Sequence, residues 1–176
     1  MKIVFIAGIK EIDKSSIINI AIKRFGREKS NVSLINFSRL QSLEMDFERI
    51  TYDEIKNLAD KVYSEIERKI GPLLKDPDAC IIIDGFFTVR SKKYGHIPLV
   101  TEKFFKVFNP NIIIVVEALP ENFALNEDVA KLIREEQTIN KIYAVRSASL
   151  ICSPIKIIRL SSDVTKTIKE IDCLIS

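Results

Sequence analysis

Short apolar runs alternate with amphipathic stretches along the whole chain, the rhythm expected of strands that feed helices. Lys2 to Ala7, Val32 to Asn36, Ala79 to Asp84, Asn111 to Glu117 and Ile155 to Leu160 read as strands. Ile81-Ile82-Ile83 and Ile112 through Val116 are continuous rather than alternating, so these two belong in the middle of a sheet with both faces covered. Across Thr51 to Ile70 the residues Ile55, Leu58, Val62, Ile66 and Ile70 recur at helical spacing. Thr51 with Glu54 three residues on makes a capping box, and Gly71-Pro72 ends that helix. Further helices are expected from Ser15 to Arg24, Pro98 to Phe108, Glu127 to Leu150, and from Ser162 or Asp163 through Leu174.

This alternation predicts an α/β fold, three layers deep (α/β/α), around a five-stranded, mainly parallel sheet. A length of 176 residues supports one well-buried core, and no repeat, low-complexity tract or linker divides it, so one domain over residues 1–176 is expected. Open sheets of this kind bind ligands beyond the carboxyl ends of their strands, which directs attention to the loops after Ala7, Asn36, Asp84, Glu117 and Leu160.

Composition narrows the partners. The formal net charge is +3 with both signs interspersed, so no basic patch calls for nucleic acid. No apolar run reaches about 18 residues, and Lys10, Glu11, Asp13 and Lys14 interrupt the first one, so neither a membrane span nor a signal peptide is indicated. Cys80, Cys152 and Cys173 show no C-x-x-C spacing. Reduced, mostly buried thiols in a cytoplasmic protein are therefore expected, rather than a disulfide framework or a zinc site. Abundant Ile and Lys with no Trp would suit a thermophile.

The first strand runs into Gly8-Ile9-Lys10-Glu11-Ile12-Asp13-Lys14-Ser15-Ser16, which stands where a P-loop of the form G-x-x-x-x-G-K-[ST] belongs. In such a loop, backbone N–H groups at a helix N-terminus cradle phosphate, and glycines keep the approach open. Here Glu11 and Asp13 stand at the glycine positions. One like-charge contact at about 4 Å costs roughly 4 kcal/mol at an effective dielectric near 20. Gly8, Lys14, Ser15 and Ser16 remain in place to contact phosphates; Asp84 has two readings, an acid holding a Mg2+-bound water beside Ser15 once nucleotide binds, or a strand-terminal Asp bonding the next turn's backbone. Two readings stand for Asp13: a repulsive charge in a phosphate site, or simply the N-cap of the helix it precedes. His96 is alone in the chain and gives no metal or triad signal, and the pairs Phe86-Phe87 and Phe104-Phe105 read as core.

The order of these pieces resembles the archaeal-type adenylate kinases, a branch of the P-loop nucleoside monophosphate kinases, over nearly the whole chain. The most distinctive stretches are Asn109-Pro110-Asn111-Ile112-Ile113 and Val116-Glu117-Ala118-Leu119-Pro120-Glu121, joined by Ile35-Asn36-Phe37, Ile82-Ile83-Asp84, Val89-Arg90-Ser91 and Ala144-Val145-Arg146-Ser147-Ala148. The resemblance implies phosphoryl transfer from ATP to AMP with Mg2+, and a homo-oligomer, in several members a trimer. It implies Lys14 and Arg90 as catalytic residues, Ser15 and Asp84 at the metal, and Asn36, Arg49 and Arg90 around the acceptor nucleotide. The family's arginine-rich lid corresponds here to residues 121–128, an acidic stretch free of arginine. Arg134 and Arg146 lie downstream on helical faces, where solvation or pairing with Glu135 or Glu136 is expected. Because phosphoryl transfer rests on positioning and cationic stabilisation, the expected function is an impaired adenylate-kinase-like protein acting in binding, assembly or regulation. An active divergent kinase using ATP or ADP with Mg2+, and a scaffold or partner subunit, are the alternatives.

Overall fold

The computed structural model describes residues 1–9, 13–25, 31–36, 50–122, 126–160 and 164–175. In chain order the elements are β1 (Lys2–Ala7), α1 (Lys14–Phe25), β2 (Val32–Asn36), α2 (Tyr52–Ile70), β3 (Cys80–Gly85), β4 (Thr88–Ser91), β5 (Gly95–Pro98), α3 (Glu102–Phe108), β6 (Ile112–Ala118), α4 (Glu127–Ile151), β7 (Ile155–Leu160) and α5 (Val164–Ile175). Glu11, Arg49, residues 123–125 of the expected lid and the expected start of the last helix at Ser162 or Asp163 lie outside the described residues.

The five-stranded sheet has the order β2-β3-β1-β6-β7, and every neighbouring pair is parallel. The apolar runs explain that order: β1, β3 and β6 are buried almost throughout and occupy the three inner places. Alternation along β1 divides the core. Ile3, Phe5 and Ala7 face a layer made by α2, α3 and α4, with Val62, Ile66, Phe104 and Ala144 packed there. Val4 and Ile6 face α1 and α5 through Ile18, Ala21, Ile168 and Ile171. Phe5 sits at the centre of the first layer, its ring 5.3 to 5.5 Å from those of Phe87, Phe104 and Phe105, contacts each worth about 0.5–1.5 kcal/mol beyond burial.

The capping box on α2 forms as expected: Thr51 Oγ1 accepts from Glu54 N, and Thr51 N donates to Glu54 Oε2 at 2.7 Å. The helix expected from Pro98 begins only at Glu102. Pro98 instead closes a small hairpin in which β5 pairs antiparallel with β4, and Thr101 caps α3. Each strand of that hairpin is four residues long, too short for a period-two signal, and Gly95 turns it at φ 71°. The thiol expectation is also corrected. Cys80 is buried, but Cys152 and Cys173 are exposed, Cys152 because it ends α4 at φ 52°, a turn position that faces solvent. Among the described residues no helix is long and apolar enough to cross a membrane.

Candidate functional site

Parallel register brings the site together. Asn36 ends β2 directly beside Asp84 of β3, and Asp84 lies beside Ile6 of β1. β1 ends at Ala7 and α1 begins at Lys14, and the first turn of α1 stands over the carboxyl ends of β2 and β3. Ser15 Oγ donates to Asp84 Oδ2 at 2.5 Å, and Asn36 Nδ2 reaches Ser15 Oγ at 3.5 Å. Lys14 Nζ lies 2.7 Å from Asp84 Oδ1, with the two side chains 2% and 0% exposed. The Lys14 ammonium is the group that meets Asp84 Oδ1.

Lys14 is thus a buried cation held under cover. Its ammonium lies 4.1 Å from the centroid of Phe86, a cation–π contact that sequence reading assigned only to core packing. Burial pushes its pKa below the ordinary lysine value, while the charge of Asp84 and, more weakly, that of Asp13 resist the shift. Gly8 is needed for room rather than for a special backbone angle: an added Cβ would meet Lys14 Cδ at 3.0 Å and Val116 O at 3.1 Å. The lysine stem therefore crosses directly over the glycine.

Asp13 caps α1, its Oδ1 accepting from Ser16 N at 3.2 Å. One of the backbone donors that a phosphate would use is already taken by a carboxylate of the same chain. Ser15 Oγ and the Asp84 carboxylate are oxygen donors of the kind Mg2+ takes, and both Asp84 oxygens are already engaged, Oδ1 with Lys14 at 2.7 Å and Oδ2 with Ser15 at 2.5 Å. Bound there with a nucleotide, the ion would neutralise phosphate charge. Among the described residues no cluster of three or more His, Cys, Asp or Glu forms a separate metal site.

The remaining expected residues stand apart. Arg90 is exposed on β4, opposite His96 in the hairpin, and no hydrogen bond or ion pair ties it to Lys14 or Asp84. His96 does have an acidic neighbour, Glu135, with Nε2 3.8 Å from Oε1. Arg134 pairs with Glu121 and Glu127, both at 2.7 Å, and Arg146 with Glu102 at 3.3 Å. Those partners are not Glu135 or Glu136: Arg134 reaches back to the first residue of α4, Glu127, and to Glu121 in the turn before it, while Arg146 reaches across to α3.

Sequence reading also missed the polar residues of α4. Gln137 Nε2 donates to Ala118 O at 3.1 Å, and Asn140 Oδ1 accepts from Phe87 N at 3.4 Å. Both tie the helix to strand ends beside the site. Their signal was present: they interrupt the buried stripe Ala130, Ile133, Ala144, Ala148 at its own spacing, and a polar residue on a buried stripe needs a partner.

No protein-family model matches the chain. It is similar to the adenylate kinase of Pyrococcus horikoshii, 27% identical over 177 residues, covering 92% of this chain and 87% of that protein. The adenylate kinase of Pyrococcus furiosus is 26% identical with the same coverage, and that of Thermoplasma acidophilum 22% identical over 87% of this chain and 86% of its own. Among solved structures, the crystal structure of APE1195 aligns with 99% of this chain and 94% of that one, at 12% identity and a TM-score of 0.49.

Proposed function

We propose that this distant adenylate-kinase-like chain holds nucleotide weakly at the loop between β1 and α1 and is impaired in phosphoryl transfer, so that its role lies in binding, assembly or regulation. The observation that carries the reading is the N-cap of α1. Asp13 Oδ1 accepts from the Ser16 N–H, so a carboxylate already sits at the helix N-terminus that a phosphate would need. Lys14 adds to it. To reach a phosphate its ammonium must leave Asp84, and opening a buried ion pair costs several kcal/mol. The arginines after the lid position pair at the surface with Glu121, Glu127 and Glu102, contacts they would have to exchange to serve transition-state charge.

A second reading, an active nucleoside monophosphate kinase converting ATP and AMP to ADP, is favoured by one feature: Lys14, Ser15, Asn36 and Asp84 converge at the strand ends. In that case Lys14 would hold phosphate, Ser15 and Asp84 the metal, and Asn36 and Arg90 would approach the acceptor.

Two measurements separate the readings. Impairment predicts little ADP formation from Mg-ATP and AMP in a coupled assay, and turnover in the ordinary kinase range of about 1–100 s⁻¹ would overturn it. Weak retention predicts a small thermal stabilisation by Mg-ATP. Saturation at 100 times a low-micromolar dissociation constant, worth about 2.7 kcal/mol, would mean that the acidic cap is no obstacle.

A further inference from the structure

We propose that the free edge of β7 receives an extended, acidic segment of another protein, which joins the sheet as a sixth strand. Among the described residues β7 pairs only with β6, so its outer row of backbone donors and acceptors is open to pairing. Two hollows flank that edge. One, of about 490 Å³, lies against Ile157 and Arg159 and is walled by Lys141 of α4 and Lys166 of α5. The other, of about 320 Å³, shares Lys166 and Glu170 with the first and is also lined by Lys156, Lys169, Cys173 and Leu174. Strand alternation puts Ile157 and Arg159 on the opposite face of β7 from Lys156.

Charge selects the occupant. Five cations, Lys141, Lys156, Arg159, Lys166 and Lys169, line the two hollows against two carboxylates, Glu117 and Glu170. Glu117 is itself engaged, with Lys141 Nζ at 3.0 Å and Arg159 Nε at 3.8 Å, and so holds those two cations at the rim. Lysine on an edge strand commonly guards it against pairing. Here, however, three of the cations stand on the helices as walls, and the strand's own residue at the centre is Ile157, 42% exposed. Apolar seats at Ile157 and Leu174 alternate with basic rims, which matches an extended chain of alternating apolar and acidic residues. Among the described residues no aromatic side chain lines either hollow, so they supply no base-stacking surface of the kind a single-stranded nucleic-acid site uses.

The test uses the full chain and a fluorescent octapeptide alternating valine and aspartate. Comparison ligands are its lysine counterpart, a version N-methylated at every second residue, and an octameric oligothymidylate. Anisotropy should show the acidic peptide binding at least about tenfold tighter than the lysine one, with loss of binding near 1 M salt, where screening falls to about 3 Å. N-methylation should abolish binding, and amide exchange across residues 155–160 should slow when the unmodified peptide is bound. Lys166→Glu with Lys169→Glu should cost at least about tenfold in peptide affinity, while leaving the melting temperature with Mg-ATP unchanged, which keeps this site separate from the nucleotide loop. Undiminished binding of the N-methylated peptide would overturn the strand pairing. Tighter binding of oligothymidylate would make the surface a phosphate reader, a concentration-dependent dimer that excludes the peptide would assign the edge to a second copy, and no binding at millimolar peptide would leave no site. Each of these results refutes the proposal.

Discussion

Breaking the Lys14–Asp84 pair gives the most direct physical test of the site. The two charges lie 2.7 Å apart with almost no exposure, and at an effective dielectric near 20 their attraction is about 6 kcal/mol before desolvation is counted. Desolvation offsets much of that gain, but removing one partner leaves the other buried and uncompensated, which typically costs 3–5 kcal/mol. Lys14→Met should therefore strand the Asp84 carboxylate with only the Ser15 hydroxyl. For a chain of this size each kcal/mol moves the melting temperature by about 2–4 °C, so a fall of about 6–20 °C is expected. Asp84→Asn should also destabilise, because it leaves the ammonium buried beside a neutral amide. Combined, Lys14→Met and Asp84→Asn should lose less than the sum of the two, with a coupling of at least about 2 kcal/mol. Urea denaturation of the four proteins at neutral pH measures that coupling. If each single change costs under about 1 kcal/mol and the pair is additive, Lys14 is not tied to Asp84 and the argument for a restrained lysine fails.

Three further outcomes are expected. Because burial lowers the Lys14 pKa, the unfolded chain holds more protons than the folded one between that lowered value and the ordinary 10.5; stability attributable to Lys14 should rise with pH across that window, a slope that Lys14→Met removes in parallel melts. Gly8→Ala should destabilise by about 1–3 kcal/mol in chemical denaturation, since the new Cβ meets both the lysine stem and the Val116 carbonyl; an unchanged midpoint would mean that the crossing is loose. Asp13→Gly, alone and with Glu11→Gly, should tighten Mg-ATP binding by about fivefold or more in isothermal titration, with only a few tenths of a kcal/mol lost from the cap; equal or weaker affinity would show that the acids were not the obstacle.

Much of the scaffold was legible in order of residues alone. The Ile-rich runs required inner strands, Thr51 with Glu54 required a helix start, and the strand-loop-helix passage through Gly8 to Ser16 located the candidate site. These are local signals, because propensity, capping and period depend on neighbours in sequence. The hairpin at Thr88–Pro98 and the exposed thiols were not legible, since short strands and helix ends take their conformation from what they pack against.

Chain order determined that Lys14 and Ser15 would open a helix and Asp84 would close a strand, and that an acid would replace glycine before the lysine. Only the tertiary structure decided what those groups do to one another. Parallel register set Asn36 beside Asp84, Phe86 closed over the lysine, and Asp13, at the surface, capped the helix. The same holds for Glu117, which from sequence is one more acid at a strand end and in the fold becomes the buried partner of Lys141 and Arg159. Charges separated by tens of residues interact strongly only when folding removes the water between them, and that is decided by packing.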